Sequence, residues 1–223
     1  MNYLTILGRQ GGGEGGGNAD IGERILACNP ILEGFGNSKT QRNDNSSRFG
    51  KYTKMYFGLY EDAVYGAMIK NYLLEKSRVI SVSQNERGYH VFYFMLKAMP
   101  ADLLKKYNLL DAKTGKGFDP LYFKYLAGGG PNGTLPDKHD VEGYIEIADT
   151  FKQLQFTDEE MDAVWRCNSV VLHLGNIELD PKLFDDASAP TKPGGFTKKG
   201  QEELDIVSKM LGVESAILAK AIV

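Results

Sequence analysis

The chain has 223 residues, 42% hydrophobic and 25% charged, with a formal net charge of −3. That is the size and balance of one large globular domain or a piece of a larger one, and without a basic stripe interleaved with aromatics it argues against nucleic acid. No apolar run approaches the roughly 20 residues of a spanning helix, and the N-terminus lacks the succession of a secretory signal, so no transmembrane segment or export is expected.

Met1–Leu7 is short and apolar and reads as the last turns of a helix. Gly8–Asp20 contains Gly11-Gly12-Gly13-Glu14-Gly15-Gly16-Gly17. No Lys-Ser or Lys-Thr follows these glycines and no strand precedes them, so the run reads as a flexible linker and not a phosphate cradle. Ile21–Asn29 places Ile21, Ile25 and Leu26 on one helical face. Asn29-Pro30 predicts a break, and Pro30–Phe35 a second short helix with proline in its first turn. Gly36–Ser47 is a polar loop. Arg48–Phe57 and Gly66–Leu74 predict an antiparallel hairpin, with Tyr60-Glu61-Asp62 as a turn.

Tyr89–Met99 predicts an apolar helix and Ala101–Tyr107 a short amphipathic one. Asp111–Asp119 is a glycine- and lysine-rich turn region, and Gly128–Gly133 a surface loop. Val141–Leu154 and Asp158–Leu174 are stronger helices. Thr157 with Glu160 three residues on forms a capping box, and Val164, Val171 and Leu174 supply an apolar stripe beside Trp165. Asp180–Gly195 reads as a variable loop, and Gly212 divides two closing helices, Lys198–Leu211 and Glu214–Ile222. Cys28 and Cys167 read as buried reduced thiols. Without a signal peptide, the glycosylation patterns Asn45-Ser46-Ser47 and Asn132-Gly133-Thr134 read as coincidental.

The chemistry concentrates in Asn43-Asp44-Asn45-Ser46-Ser47-Arg48-Phe49-Gly50-Lys51, between a helical stretch and a strand. Two hydroxyls, flanking amides and a guanidinium suit a nucleotide triphosphate, because phosphoryl transfer needs positioning and electrostatics more than covalent chemistry. Taken alone, this turn-rich composition also reads as a solvated turn. His90 and His173 read as packing residues with one satisfied ring nitrogen each, and none of the three histidines has metal-ligand spacing. Glu75-Lys76-Ser77-Arg78 reads either as part of a salt-bridge network or as a solvated strand end.

Asn29–Lys51 resembles the switch I segment of the myosin head. Asn71–Ile80 resembles a strand of its central sheet, Glu86–Tyr93 the helix that follows, and Leu172-His173-Leu174-Gly175-Asn176-Ile177 another phrase of the family. Order and spacing carry the likeness over nearly the whole chain, and these flanking phrases decide between the two readings of the loop. Kinesins share Asn-x-x-Ser-Ser-Arg, but Ser-His usually follows there, in place of Phe49-Gly50-Lys51.

The resemblance implies an α/β fold, a fragment of a P-loop NTPase-type head. Residues 1–88 would carry loop 1, switch I and part of the transducer, with its strand hairpin from the central sheet. Residues 89–223 would form the mostly helical upper actin-side subdomain. It implies ATP and magnesium as cofactors, with Asn43 and Asn45 near the nucleotide, and Ser46 at the γ-phosphate orienting the attacking water. Ser47 would coordinate magnesium, and Arg48 would pair with a switch II glutamate as a latch. Ser46 and Arg48 would be the catalytic pair. It further implies actin filaments as partner, light chains through a neck, and a place in the cytoplasm on the cytoskeleton. Gly-x-x-x-x-Gly-Lys-Ser/Thr, the switch II phrase, the converter and the neck are not among the 223 residues. The isolated chain is therefore expected to bind ATP weakly without turnover, and the alternative reading is a truncated, non-catalytic binding module.

Overall fold

The computed structural model describes residues 18–57, 64–180, 184–185, 189–190 and 195–222. The expected helix end at Met1–Leu7, the glycine run Gly11–Gly17 and the turn at Tyr60–Asp62 lie outside the described residues.

Helix α1 (Asn18–Ala27) runs into α2 (Asn29–Gly36), and the break falls at Cys28, with Pro30 in the first turn of α2. A proline there is tolerated because its missing N–H would have had no helical partner. Gly34 lets α2 approach its neighbours, since a Cβ at that position would lie 2.3 Å from Ile147. The polar loop is a small hairpin: β1 (Asn37–Ser38) pairs antiparallel with β2 (Ser46–Ser47), Asn37 opposite Ser47.

The longer hairpin joins β3 (Gly50–Phe57) to β4 (Val64–Tyr72), with Gly50 opposite Tyr72 and an irregularity at Tyr56/Phe57. The expected strand over Asn71–Ile80 is corrected here. Only Asn71 and Tyr72 are extended, and Leu73 turns the chain out of the sheet at φ 56°. Ser77–Ile80 is a helical turn, α3. Glu75 supports the turn, because its carboxylate accepts from Arg78 Nε at 2.7 Å and its carbonyl from Arg78 N at 3.1 Å, a pairing of residues three apart that a helical path allows.

Helix α4 (His90–Ala98) is central: every residue from His90 to Leu96 is buried. A helix apolar all round has no solvent face to keep, so it sits inside the others. Then follow α5 (Ala101–Lys106), a hairpin of β5 (Leu110–Asp111) and β6 (Lys116–Gly117), a 3-10 turn at Pro120–Tyr122, and α6 (Lys124–Ala127). A second 3-10 turn, Pro131–Gly133, leads to α7 (Asp137–Gln153). Helix α7 starts before the expected Val141, since Pro136 precedes it and Asp137 and Asp140 favour its first turn. Helix α8 (Asp158–Asn176) has the full capping box: Thr157 Oγ1 accepts from Glu160 N, and Glu160 Oε2 from Thr157 N.

Beyond it lie β7 (Phe184–Asp185), β8 (Ala189–Pro190), α9 (Lys198–Leu211) and α10 (Ser215–Ile222), the last two divided by Gly212 at φ 68°. One core gathers α4, Leu104, Phe123, Leu126, Phe151, Trp165 and Leu172. A second joins Val170 to Val207 and Met210. The thiols depart from expectation: Cys28 is half-buried and Cys167 exposed.

His173 is buried with both ring nitrogens engaged, not one. Nδ1 meets Glu203 Oε2 at 2.5 Å and Nε2 the Asn108 carbonyl at 3.1 Å. Asn176 Oδ1 accepts from Lys124 N, and its Nδ2 donates to the Tyr122 carbonyl. The phrase Leu172–Ile177 thus fastens α8 to α6 and α9.

Candidate functional site

The loop between β1 and β2 is shaped by its own side chains. Thr40 N donates to the Asn43 carbonyl at 2.8 Å, and Asn43 Oδ1 accepts from Asn45 N at 2.8 Å, an Asx turn. Asn43 is exposed, and its Nδ2 makes no hydrogen bond among the described residues.

Asn45 is also exposed, but its side chain is bonded to the protein. Its Oδ1 accepts from Asn37 Nδ2 at 3.0 Å and contacts His90 Nε2 at 3.1 Å. Its Nδ2 donates to Glu33 Oε2 at 3.2 Å. The side chain is spent on fixing the loop. Asn45 therefore stands apart from the open group formed by Asn43 and Ser47.

Ser46 is half-buried and its Oγ accepts from Arg48 Nη1 at 3.1 Å. Ser47 is exposed and its hydroxyl makes no hydrogen bond among the described residues. Arg48 Nε meets Glu75 Oε2 at 2.6 Å, so its carboxylate partner here comes from 27 residues downstream. Glu75 also holds Arg78, whose Nη1 reaches Glu86 Oε2 at 3.0 Å. Glu86 Oε1 in turn accepts from Gln41 N at the start of the loop. Burial works against the Glu75 carboxylate, but hydrogen bonds from Arg78 and Arg48 outweigh it and hold its pKa below the usual range. Of the two readings of Glu75–Arg78, the network is the one realised.

Behind the loop lies a buried ion pair. Arg87 is fully buried and forks onto Asp140 at 2.7 and 3.2 Å, with its guanidinium 4.1 Å from the Tyr93 ring centre. Arg87 Nε also donates to His90 Nδ1 at 3.1 Å, so both nitrogens of His90 are satisfied. His90, Glu33, Asn37 and Arg87 were not assigned to the site by sequence reasoning. All four lie upstream of it or beyond β4, and none carries a local pattern that pairs it with the loop.

His90 is pulled down to about 3, first by burial and then by Arg87 and His139. Below the ordinary value of 6.5 the unfolded chain binds a proton that the folded chain refuses. Stability is therefore whole above pH 6.5 and declines as the pH falls toward 3. Urea melts at pH 4.5 should show roughly 2–3 kcal/mol less stability from this group than at pH 7.5. His90→Gln should remove that difference, and an unchanged acid loss in the variant would exclude His90 as its source.

The open hydroxyl of Ser47 is a hard oxygen, the type magnesium takes beside phosphate, and the free amide of Asn43 can donate to a phosphate or a polar edge. The donor set therefore fits one wall of a magnesium–nucleotide site. Arg48 has the planar fork suited to a carboxylate partner.

The family model for the myosin head (motor domain) matches residues 1–223. Similar relatives include Myosin-VIIa of Drosophila melanogaster, 40% identical over 86% of this chain and 8% of the relative. Myosin-11 of Arabidopsis thaliana is 35% identical over 100% of this chain and 13% of its own length. Unconventional myosin-Vc of Homo sapiens is 34% identical over 99% and 11%. The chain thus spans only 8 to 13% of the length of these relatives. No described helix is long and apolar enough to cross a membrane. With a family match over its whole length and a loop built from Asn43, Ser46, Ser47 and Arg48, the chain belongs to the myosin head (motor domain) family.

Proposed function

We propose that this chain is the switch-bearing segment of an actin-based motor that binds and hydrolyses ATP with magnesium. The observation that carries the reading is a division of labour in the loop. Asn45, Ser46 and Arg48 are held by protein partners, while the Ser47 hydroxyl and the Asn43 amide face outward. In this reading Asn43 donates to the nucleotide's phosphates or polar edge. Ser46 stands by the γ-phosphate and orients the attacking water. Ser47 would hold magnesium, which supplies charge neutralisation on the phosphates. Arg48, already bound to Ser46, closes the pocket against a switch II glutamate. Asn45 keeps its place among the nucleotide-binding residues by setting the loop rather than by touching the ligand.

The hairpin β3–β4 then corresponds to part of the transducer, and the helices after His90 to the upper actin-side subdomain. Actin filaments are the expected partner, with light chains bound through the neck of a complete head. Cytoplasm and cytoskeleton are the expected place of work. The test is Ser47→Ala in a complete head carrying this segment. Magnesium-dependent ATP turnover should fall about a hundredfold, the scale of losing one preorganised transition-state contact. Turnover at the parent rate would remove Ser47 from the site.

A further inference from the structure

Asn45 is the outer end of a chain of hydrogen bonds that leads into the core. The tautomer of the ring behind it follows from the partners. Arg87 Nε can only donate, so His90 Nδ1 accepts and the ring proton sits on Nε2. That proton points at Asn45 Oδ1, which also accepts from Asn37 and so uses both lone pairs. The lowered pKa of His90 keeps this neutral form at ordinary pH.

The inner end cannot move. Arg87 is fully buried, doubly bonded to Asp140 on α7, and lies against Tyr93. The imidazole is itself wedged between rings, stacked on Phe94 at 5.9 Å and tilted to His139 at 5.2 Å. His90 is therefore a rigid strut between a buried ion pair and the switch loop. The load continues outward, because the N–H of Asn45 holds Asn43 Oδ1, and Ser46 and Ser47 follow in the chain.

We propose that His90 is a positioning residue for the switch loop. It holds Asn45 so that Asn43, Ser46 and Ser47 keep the spacing a magnesium–phosphate group requires. The inference rests on the nucleotide reading above and adds to it a residue that touches no ligand.

The test uses a complete head carrying this segment and compares three variants. His90→Gln places an amide donor where Nε2 stood. His90→Asn places its amide near the Nδ1 position, facing Arg87. His90→Phe keeps a ring and neither bond. If the strut acts on Asn45, His90→Gln should stay within about threefold of the parent in magnesium-dependent ATP turnover. His90→Asn and His90→Phe should each lose about tenfold, the worth of one hydrogen bond near 1.4 kcal/mol. Combining Asn45→Ala with His90→Asn should cost no more than the worse single change, because both cut the same link.

Turnover in His90→Asn equal to or above that of His90→Gln would overturn the inference, since the ring would then matter only as a partner for Arg87. Additive losses in the double variant would overturn it too. Should His90→Phe fail to fold, the Gln–Asn comparison and the cycle decide alone. Ser47→Ala in the same head separates the two levels. If it abolishes turnover while the His90 variants show no ordering, only the strut is wrong. If it leaves turnover unchanged, the nucleotide reading fails and the strut falls with it.

Discussion

Asp140→Ala is expected to destabilise the chain by about 3–5 kcal/mol, the range for breaking a buried ion pair by removing one partner. Arg87 has no solvent exposure and Asp140 almost none. A guanidinium cannot shed its proton, so without Asp140 the charge stays buried, with His90 Nδ1 and the Tyr93 face as its remaining partners. His139 would also lose the carboxylate that its Nδ1 now meets at 3.1 Å. Urea unfolding followed by circular dichroism measures the loss. Glu142→Ala on the same helix is the control, because its contact with Lys138 is exposed and 3.6 Å long. That change should stay within about 1 kcal/mol. A loss below about 1 kcal/mol for Asp140→Ala would mean that the pair does not anchor α7 to the start of α4.

Arg48→Ala should leave ATP binding within about threefold while slowing hydrolysis by about a hundredfold or more in a complete head. Nε is engaged by Glu75 and Nη1 by Ser46, but Nη2 makes no hydrogen bond among the described residues. One edge of the fork is thus open to a second carboxylate, as the latch role requires. The effect on folding should be small, because Arg48 is partly exposed and Glu75 retains Arg78. Arg48→Lys tests the geometry: it keeps the charge, loses the fork, and should also be slow. Binding followed by nucleotide fluorescence and hydrolysis followed by single-turnover quench separate the two steps. Unchanged single-turnover hydrolysis in Arg48→Ala would refute the latch.

Local rules carried the elements that rest on local causes. The Thr157–Glu160 box starts α8, Pro30 opens α2, and Gly212 closes α9, each through its own backbone chemistry. The hairpin's strands begin and end within two residues of the expected bounds, because they pair with each other. The strand over Asn71–Ile80, expected from the family resemblance, stops at Tyr72, because Leu73 turns the chain away and the bonds of Arg78 to Glu75 and Glu86 accompany a helical turn at Ser77–Ile80. The loop residues were legible as a group through resemblance, but their partners were not. Arg87 and Asp140 are 53 positions apart, and His90 and Asn45 are 45 apart, and no spacing announces such contacts. The glycines at 129 and 133 read as a surface loop. In the fold a Cβ at either would lie 2.0 or 2.4 Å from the carbonyl oxygen of Glu86, the residue whose carboxylate holds Gln41 and Arg78.

The ribbon of β3 and β4 has a consequence for handling the protein. Among the described residues these strands pair only with each other, so the outer edge of each offers unpaired backbone donors and acceptors. Tyr52, Tyr65, Tyr72 and Leu73 add exposed apolar surface. Such an edge invites a second ribbon to dock and seed aggregates. Lys51, Lys54 and Lys70 interrupt it with charge, which is the common defence of an open edge. Solubility of this segment apart from other chain therefore depends on those three ammonium groups and should worsen with added salt, as their repulsion is screened.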